Sequence, residues 1–368
     1  MGRHGTARRG SDHRRRGPDR GRRRPRRRRG LKILAWTTGL LVLTGGVGAY
    51  ALVRHLNGNL KSVDIDAELG KDRPAASDNG AMNILLLGSD SRRGITAAGA
   101  SDPGRSDTAM VLHVYPGRQQ AALVSIPRDT LVTRPTCTTP TGATDPGGPR
   151  KMFNASFSVG GPACAVSTVE KLSGLRMDHY LEINFGGFQK VIDALGGVDI
   201  TTTKPLKDRA SGVDLQAGTH HLNGEQALAL VRTRDAVGDG GDLGRIQLQQ
   251  AFLKSLLKQV SSAGLLANPA RLLTVADTAT KAMTTDSKLA GATALVGLAS
   301  DLKGLSSSGL QTLTLPVRQD TQDINRVTPL PTESQQVWDA LRTDQPVPKS
   351  ATARSMADKG PAGSVVTP

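Results

Sequence analysis

The chain has 368 residues, 37% hydrophobic and only 3% aromatic, with a formal charge of +16 at neutral pH. That charge is concentrated: residues 1–30 hold 14 Arg against 2 Asp, a balance of +12, and Lys32 and Arg54 raise it to +14, leaving +2 for residues 55–368. A nearly neutral body argues against nucleic acid as the partner of the folded part, and two cysteines exclude a disulfide-dense scaffold.

The opening run RRRGPDRGRRRPRRRRG has no apolar periodicity, so residues 1–32 read as a disordered, Arg-rich cytoplasmic tail. Residues 33–53 (Ile33 to Val53) follow with 21 residues and no charge. About 20 apolar residues suffice to cross a bilayer. Arginine on one flank predicts a cytoplasmic N-terminus, hence a single-pass type II protein of the cell membrane with its body extracellular. The triplet AYA at Ala49–Ala51 offers a competing signal-peptide cleavage site, although the apolar run exceeds the ~7 to 15 residues usual for such signals. Cys137 and Cys164 both fall outside and enclose 26 residues. This suits one disulfide in an oxidising compartment, with two buried thiols as the alternative.

Residues 54–81 read as a polar linker, and order is expected over residues 82–344. MNILLLGSD, TAMVLHVYP and AALVSIPRD read as strands, the first and third ending in the polar clusters GSDSRR and PRD. A Thr-, Pro- and Gly-rich stretch, 133–149, reads as a loop. AVSTVEKLSGL has helical spacing with Gly174 near its end. YLEINF, GGFQKVIDALGG and VDITT alternate as strand, helix and strand, and GEQALALVR reads as a helix capped by Asn223. LGRIQLQQAFLKSLLKQV continues as a helix whose stripe runs Ile246, Leu248, Phe252, Leu253, Leu256, Leu257 and Val260. Helices over 269–282 and 287–302 and a strand in LQTLTLPV complete an α/β fold, a central sheet sandwiched by helices. Residues 345–368, patternless, read as a disordered tail.

Gly-x-Ser-x-Gly, the Walker loop, His-Glu-x-x-His and Cys-x-x-Cys are all missing, which argues against enzymes built on a nucleophile and a histidine. Carboxylates and arginines at element ends remain. Asp90 follows the first strand and Asp107 precedes the second, so neighbouring strands would bring them together. One or two carboxylates, with waters and phosphates, are what Mg²⁺ commonly takes; a turn and a strand-end cap are the structural alternative. Arg128, Arg232, Arg234 and Arg245 present planar forks suited to phosphate. Surface pairing with Asp129 or Asp235 is the competing reading.

Taken in order, NILLLGSDSR, RSDTAMVLHV, VSIPRDT, NASFSVGG, HYLEINFGGFQKVIDALGGVDI and HLNGEQALALVRTRD...GDLGR resemble the signature blocks of the LytR-CpsA-Psr family of cell-wall glycopolymer transferases. The resemblance covers roughly residues 82–260. It implies a mixed central sheet between helices, an apolar pocket for a polyprenyl chain, and a catalytic domain outside a single membrane anchor. It further implies Mg²⁺-dependent phosphotransfer of a glycopolymer from an undecaprenyl-pyrophosphate carrier to peptidoglycan. Asp90 and Asp107 then match the metal positions. Arg92, Arg128, Arg232, Arg234 and Arg245 match the pyrophosphate contacts, and Asp242 an acidic position that orients Arg245 or Arg234. Among these, Asp107, Arg128 and Arg232 are the expected catalytic residues, with Asp107 the candidate base.

One position departs from the pattern: Leu248 stands where an Arg is frequent, which puts a distal anion contact in doubt. The other functional readings are a DNA-binding regulator using the basic tail and a non-catalytic wall-binding scaffold. The long apolar span and the complete set of Asp and Arg positions weigh against them.

Overall fold

A computed structural model describes residues 26–90, 104, 106–234, 241–262, 268–358 and 366–367. The chain divides into two compact units, Met1–Leu52 and Val53–Pro368. The described part of the first is helix α1 (Arg26–Asn59), which continues into the second. Among the described residues, one segment, Trp36–Asn59, is long and apolar enough to cross a membrane. Its Trp36, Leu43 and Tyr50 side chains are exposed. Helix thus begins within the stretch expected to be a disordered tail and runs six residues past the expected end of the anchor at Val53; residues 1–25 lie outside the described residues.

In the second unit, β1 (Lys61–Val63), α2 (Ile65–Leu69), β2 (Met82–Ser89), β3 (Ser106–Val114) and β4 (Ala121–Ile126) come first. Short strands β5 (Leu131–Arg134), β6 (Cys137–Thr138), β7 (Thr144–Asp145) and β8 (Gly148–Met152) lead to α3 (Phe153–Ser173). Then follow β9 (His179–Asn184), α4 (Phe185–Ala194), β10 (Val198–Thr202), β11 (Leu206–Asp208), β12 (Val213–Leu215), β13 (Gly218–Leu222), α5 (Gly224–Arg232) and α6 (Asp242–Ser262). The chain ends through α7 (Pro269–Ala282), β14 (Met283–Asp286), α8 (Ala292–Asp301), β15 (Leu310–Thr314), β16 (Val317–Gln319), β17 (Val327–Pro329), α9 (Pro331–Arg342) and β18 (Val366–Thr367).

A seven-stranded sheet in the order β1-β14-β9-β2-β3-β4-β15 forms the centre. It is mixed: β2, β3 and β4 pair antiparallel, whereas β9 on β2 and β15 on β4 are parallel. The central strands read as continuous apolar runs because both faces are covered; every residue of β4 is buried. Alternate side chains feed two cores. On one face Leu85, Leu87, Val111 and Val124 pack with Phe157 and Val169 of α3 and Trp338 of α9. On the other, Ile84, Met110, Leu112 and Leu123 meet Leu298 of α8 and Leu253 and Leu257 of α6. The expected α/β sandwich with a mixed sheet is the fold observed.

Several boundaries differ from the sequence reading. Residues 54–81 are no linker: β1 extends the sheet, and Arg73 pairs twice with Glu170 through Nη2 and Nε at 2.6 and 3.0 Å. The 133–149 loop carries the paired strands β5 to β8 in part, and Cys137 and Cys164 form a disulfide across a separation of 27 residues. Helix α3 begins twelve residues before Ala165 and breaks at Gly160 and Gly161, the break masking its periodicity; Gly174 closes it at φ 67°. Residues 287–302 hold a 3-10 turn, Ser287–Leu289, before α8. The 345–368 tail is partly packed, with Val347, Ala351 and Ala357 buried and β18 paired with β10. Small apolar residues spaced along an irregular backbone leave no period to read.

Candidate functional site

Strand register brings Asp90 and Asp107 to one corner. Ser89, the last residue of β2, pairs with Ser106, the first of β3, across an irregularity between Gly88 and Ser89, so Asp90, just past β2, and Asp107, which lies inside β3 as its second residue and not before it, share one end of adjacent strands. Arg128 lies in the turn after β4, at the same end. It donates from Nη1 to Asp107 Oδ1 at 2.8 Å and from Nε to Asp129 Oδ2 at 3.3 Å. The local Arg–Asp pair read as an alternative therefore exists alongside the long-range one. No described residue hydrogen-bonds to Asp107 Oδ2.

Helix α6 supplies the rest of the corner. Asp242 is its first residue, a favourable place for a carboxylate because the helix dipole is positive there. Its Oδ2 accepts the Arg128 backbone N–H at 3.1 Å, and one turn on it pairs with Arg245. Arg245 Nη2 in turn donates to the Asp107 carbonyl at 2.8 Å. The four residues close a ring across β3, the turn after β4 and α6. Burial pushes the Asp242 carboxyl above its ordinary value, with the Arg245 charge pulling the other way. Burial likewise lowers Arg245, which stays charged because guanidinium starts so high. For Arg128, burial is outweighed by the Asp107 hydrogen bond and the Asp129 and Asp242 charges, and its value rises.

Beside the ring opens a cavity of about 380 Å³, lined in part by Asp107, Phe185, Asp208, Arg232, Arg234 and Arg245. Helix α5 aims the first two arginines. Asn223 caps it in a reciprocal box with Gln226, and at Gly224 a side chain would collide with the Gln189 carbonyl of α4. After Arg232 the chain becomes extended at Thr233, and the Arg234 backbone N–H donates to Asp208 Oδ2 at 3.0 Å. Arg232 also lies 4.9 Å above the Phe185 ring, a cation–π contact that holds its fork. Two polar atoms of the cavity's residues, Arg245 Nε and Gln249 Oε1, are buried without a hydrogen-bond partner among the described residues. Such atoms are costly unless something pairs with them.

The structure thus gathers Asp107, Arg232, Arg234 and Arg245 on one cavity, with Asp242 and Arg128 behind it, reaching it through Asp107 and Arg245. Asp90 stands at the same sheet corner but off the cavity wall. Arg92, Asp235 and Asp239 lie outside the described residues. Sequence reading missed Asp208, Phe185 and Gln249. Asp208 accepts the N–H groups of Ala210 and Arg234, and Gln249 Nε2 donates to Thr108 Oγ1 and Val231 O, both at 3.0 Å. Only Asp208, a carboxylate ending a short run, carried a signal. Leu248 is fully buried with Ile200, Leu222 and Phe252, so it serves the core under β10 and β13.

The donor chemistry fits a divalent cation with phosphate ligands: hard carboxylate oxygens from two neighbouring strand ends, beside cationic forks. Among the described residues no cluster of three or more acidic, His or Cys ligands occurs.

Fold and site together define an α/β protein with an arginine-lined cleft at the corner of a mixed sheet. The chain belongs to the LytR_cpsA_psr family, whose model matches residues 52–343. It is 41% identical over 197 residues to the probable cell wall biosynthesis protein LcpB of Corynebacterium glutamicum, a match covering 51% of this chain and 44% of that protein, so less than half of that relative is spanned. It is 33% identical over 251 residues to the polyisoprenyl-teichoic acid–peptidoglycan teichoic acid transferase TagU of Bacillus mycoides, covering 66% of this chain and 76% of TagU. The crystal structure of B. subtilis TagV superposes with a TM-score of 0.58 at 28% identity over 73% of this chain and 100% of TagV. A structure of TagT bound to LI-WTA gives 0.56 at 25% identity, over 77% and 98% of the two chains.

Proposed function

We propose that this protein is a phosphotransferase that moves a glycopolymer from an undecaprenyl-pyrophosphate carrier to peptidoglycan on the outer face of the membrane. The observation that carries the reading is the convergence of Arg232, Arg234 and Arg245 with Asp107 on one cavity, two of whose residues bear buried polar atoms that have no hydrogen-bond partner among the described residues. The names of TagU and LcpB support the wall-polymer substrate class.

Phosphoryl transfer is served by positioning and charge neutralisation more than by a covalent nucleophile. Arg232, Arg234 and Arg245 hold the pyrophosphate and stabilise the leaving lipid phosphate. An acceptor sugar hydroxyl attacks the phosphorus bearing the glycopolymer, the bond to the bridging oxygen breaks, and polyprenyl phosphate leaves. Asp107 takes the hydroxyl proton: it is a wall carboxylate with an oxygen to which no described residue hydrogen-bonds, whereas Asp208 is occupied by backbone N–H groups. Asp90 and Asp107 would hold Mg²⁺, which when bound supplies further neutralisation of phosphate charge. The half-buried Leu86, Leu181, Leu253 and Leu257 along the apolar sheet face offer the lipid chain a dry path. The full chain in detergent, given a polyprenyl-pyrophosphate glycopolymer and isolated peptidoglycan, should attach polymer and release lipid phosphate with Mg²⁺ and stop on chelation. Donor binding without any release over a full Mg²⁺ titration would refute it.

A further inference from the structure

Three carboxylates surround the Arg128 guanidinium. Asp107 Oδ1 lies 2.8 Å from its Nη1, and Asp129 Oδ2 and Asp242 Oδ1 lie 3.3 and 3.9 Å from its Nε. The backbone of Arg128 is fixed at both polar atoms: its N–H donates to Asp242 Oδ2 and its carbonyl accepts the Asn154 N–H, each at 3.1 Å. Only the sharing of one fork among three acceptors is left to settle. Attraction between unit charges falls as the inverse of distance, so at these spacings the carboxylate least neutralised by other partners draws the fork most.

Two of the three have a second arginine. Asp242 pairs with Arg245. Asp129 Oδ1 lies 3.6 Å from Nη1 of Arg326, the residue just before β17, and both side chains are partly buried, which limits screening of the pair. The β16–β17 hairpin sits directly on the turn that carries Arg128: the Val327 N–H donates to the Asp129 carbonyl at 3.4 Å, and Val327 bridges to Thr130. Asp320 organises the loop between the two strands. Its Oδ1 accepts the N–H groups of Gln322 and Asp323, both at 2.9 Å, and Arg150 forks onto its two oxygens at 2.9 and 3.1 Å. Arg150 holds that fork at a left-handed φ of 54°, a conformation that a non-glycine residue keeps only where its surroundings over-determine it. Arg326 therefore meets Asp129 from a built support.

We propose that Arg326 is a positioning residue for the transfer reaction: by neutralising Asp129 it leaves the Arg128 fork on Asp107. The proposal rests on the transferase reading, in which Asp107 takes the acceptor proton. Among the described residues, Asp107 has no ion pair other than the one with Arg128, so its place depends on that fork. Without Arg326, the Asp129 charge next to Arg128 has no other cation within reach among the described residues, and it pulls the fork away from Asp107. Neither Arg326 nor Arg128 lines the cavity, so the base moves while the arginines that hold the donor stay in place.

The test is a double-mutant cycle on the full chain in detergent, read as release of lipid phosphate and as KM for the lipid-linked donor. Arg326→Ala should lower kcat about tenfold with donor KM within about twofold, the size of coupling expected between charges in contact. Arg326→Lys should regain most of that loss. In an Asp129→Asn background, where the competing charge is gone, Arg326→Ala should change kcat by less than about twofold, whereas a residue that merely braces the hairpin would cost the same factor in both backgrounds. Asp323→Asn, which removes the charge 3.7 Å from Arg326 Nε and leaves Asp129 untouched, should keep the native kcat. Equal losses in both backgrounds, a loss confined to KM, or an unchanged kcat in Arg326→Ala even where its urea midpoint falls would each overturn the proposal. A native chain that binds donor and releases no lipid phosphate refutes the transferase reading itself, and the role of Arg326 falls with it.

Discussion

Arg128 Nη1 and Asp107 Oδ1 lie 2.8 Å apart although they are 21 positions apart in the chain. The contact fixes the one wall carboxylate that the proposed reaction uses, and the same arginine's backbone N–H fixes Asp242. Arg128 therefore acts from behind the cavity, whereas Arg232 and Arg234 line it.

That placement separates two kinetic outcomes. Arg128→Ala should lower kcat about 10²-fold with little change in KM for the lipid-linked donor, a loss of the size expected when a reacting group, here Asp107, is left about 1 Å out of place. Arg232→Ala should raise KM and lower kcat together, because that fork both binds the pyrophosphate and stabilises the leaving phosphate. Steady-state transfer assays measure both, and a pure KM effect of Arg128→Ala would contradict its placement.

The buried pair of Asp242 and Arg245 predicts a stability effect. Arg245→Ala leaves Asp242 in a buried site without its partner, and removing one member of such a pair costs about 3 kcal/mol or more. Urea unfolding should show it. An Asp242→Leu, Arg245→Met double variant should regain much of that stability while remaining inactive, which separates the structural role from the chemical one.

Reduction of the Cys137–Cys164 disulfide removes a cross-link over 27 positions. The chain-entropy relation puts the loss at about 3.5 kcal/mol. A Cys137→Ala, Cys164→Ala variant should match the reduced protein in denaturant midpoint and be insensitive to reductant.

At the junction of α1 and α7, hydrogen bonds from Lys281 first and then His55 hold the Asp277 carboxyl down to about 2 from 3.8. A depressed carboxyl contributes stability that is whole above the unfolded value and lost as pH falls through the folded one. Stability should therefore decline from 3.8 towards about 2 by more in the native chain than in Asp277→Asn. Equal pH slopes in thermal unfolding would count against this contact.

Much of this was legible in the chain itself. The apolar runs of β2, β3 and β4 and the Asn223 cap of α5 are local, because burial on two faces and helix capping leave signatures within a few residues. Asp107, Arg128, Arg232, Arg234 and Arg245 were legible as residue types at element ends and through their resemblance to family blocks.

What escaped was of two kinds. β1 and β18 are short and pair with distant strands, so no local pattern marks them. Asp208, Phe185 and Gln249 belong to the cavity only because α4, β11 and α6 converge on it. Leu248 was legible in part: its place in the motif put a distal anion contact in doubt and its spacing set it on the apolar stripe of α6, and packing showed which core that stripe fills. By itself the sequence determined the long apolar stretch, the strand runs and the inventory of charges, since hydropathy and side-chain chemistry are properties of short segments. Tertiary structure alone decided which charges face each other, because closing the ring of Asp107, Arg128, Asp242 and Arg245 depends on strand register and helix placement set by contacts over a hundred residues apart.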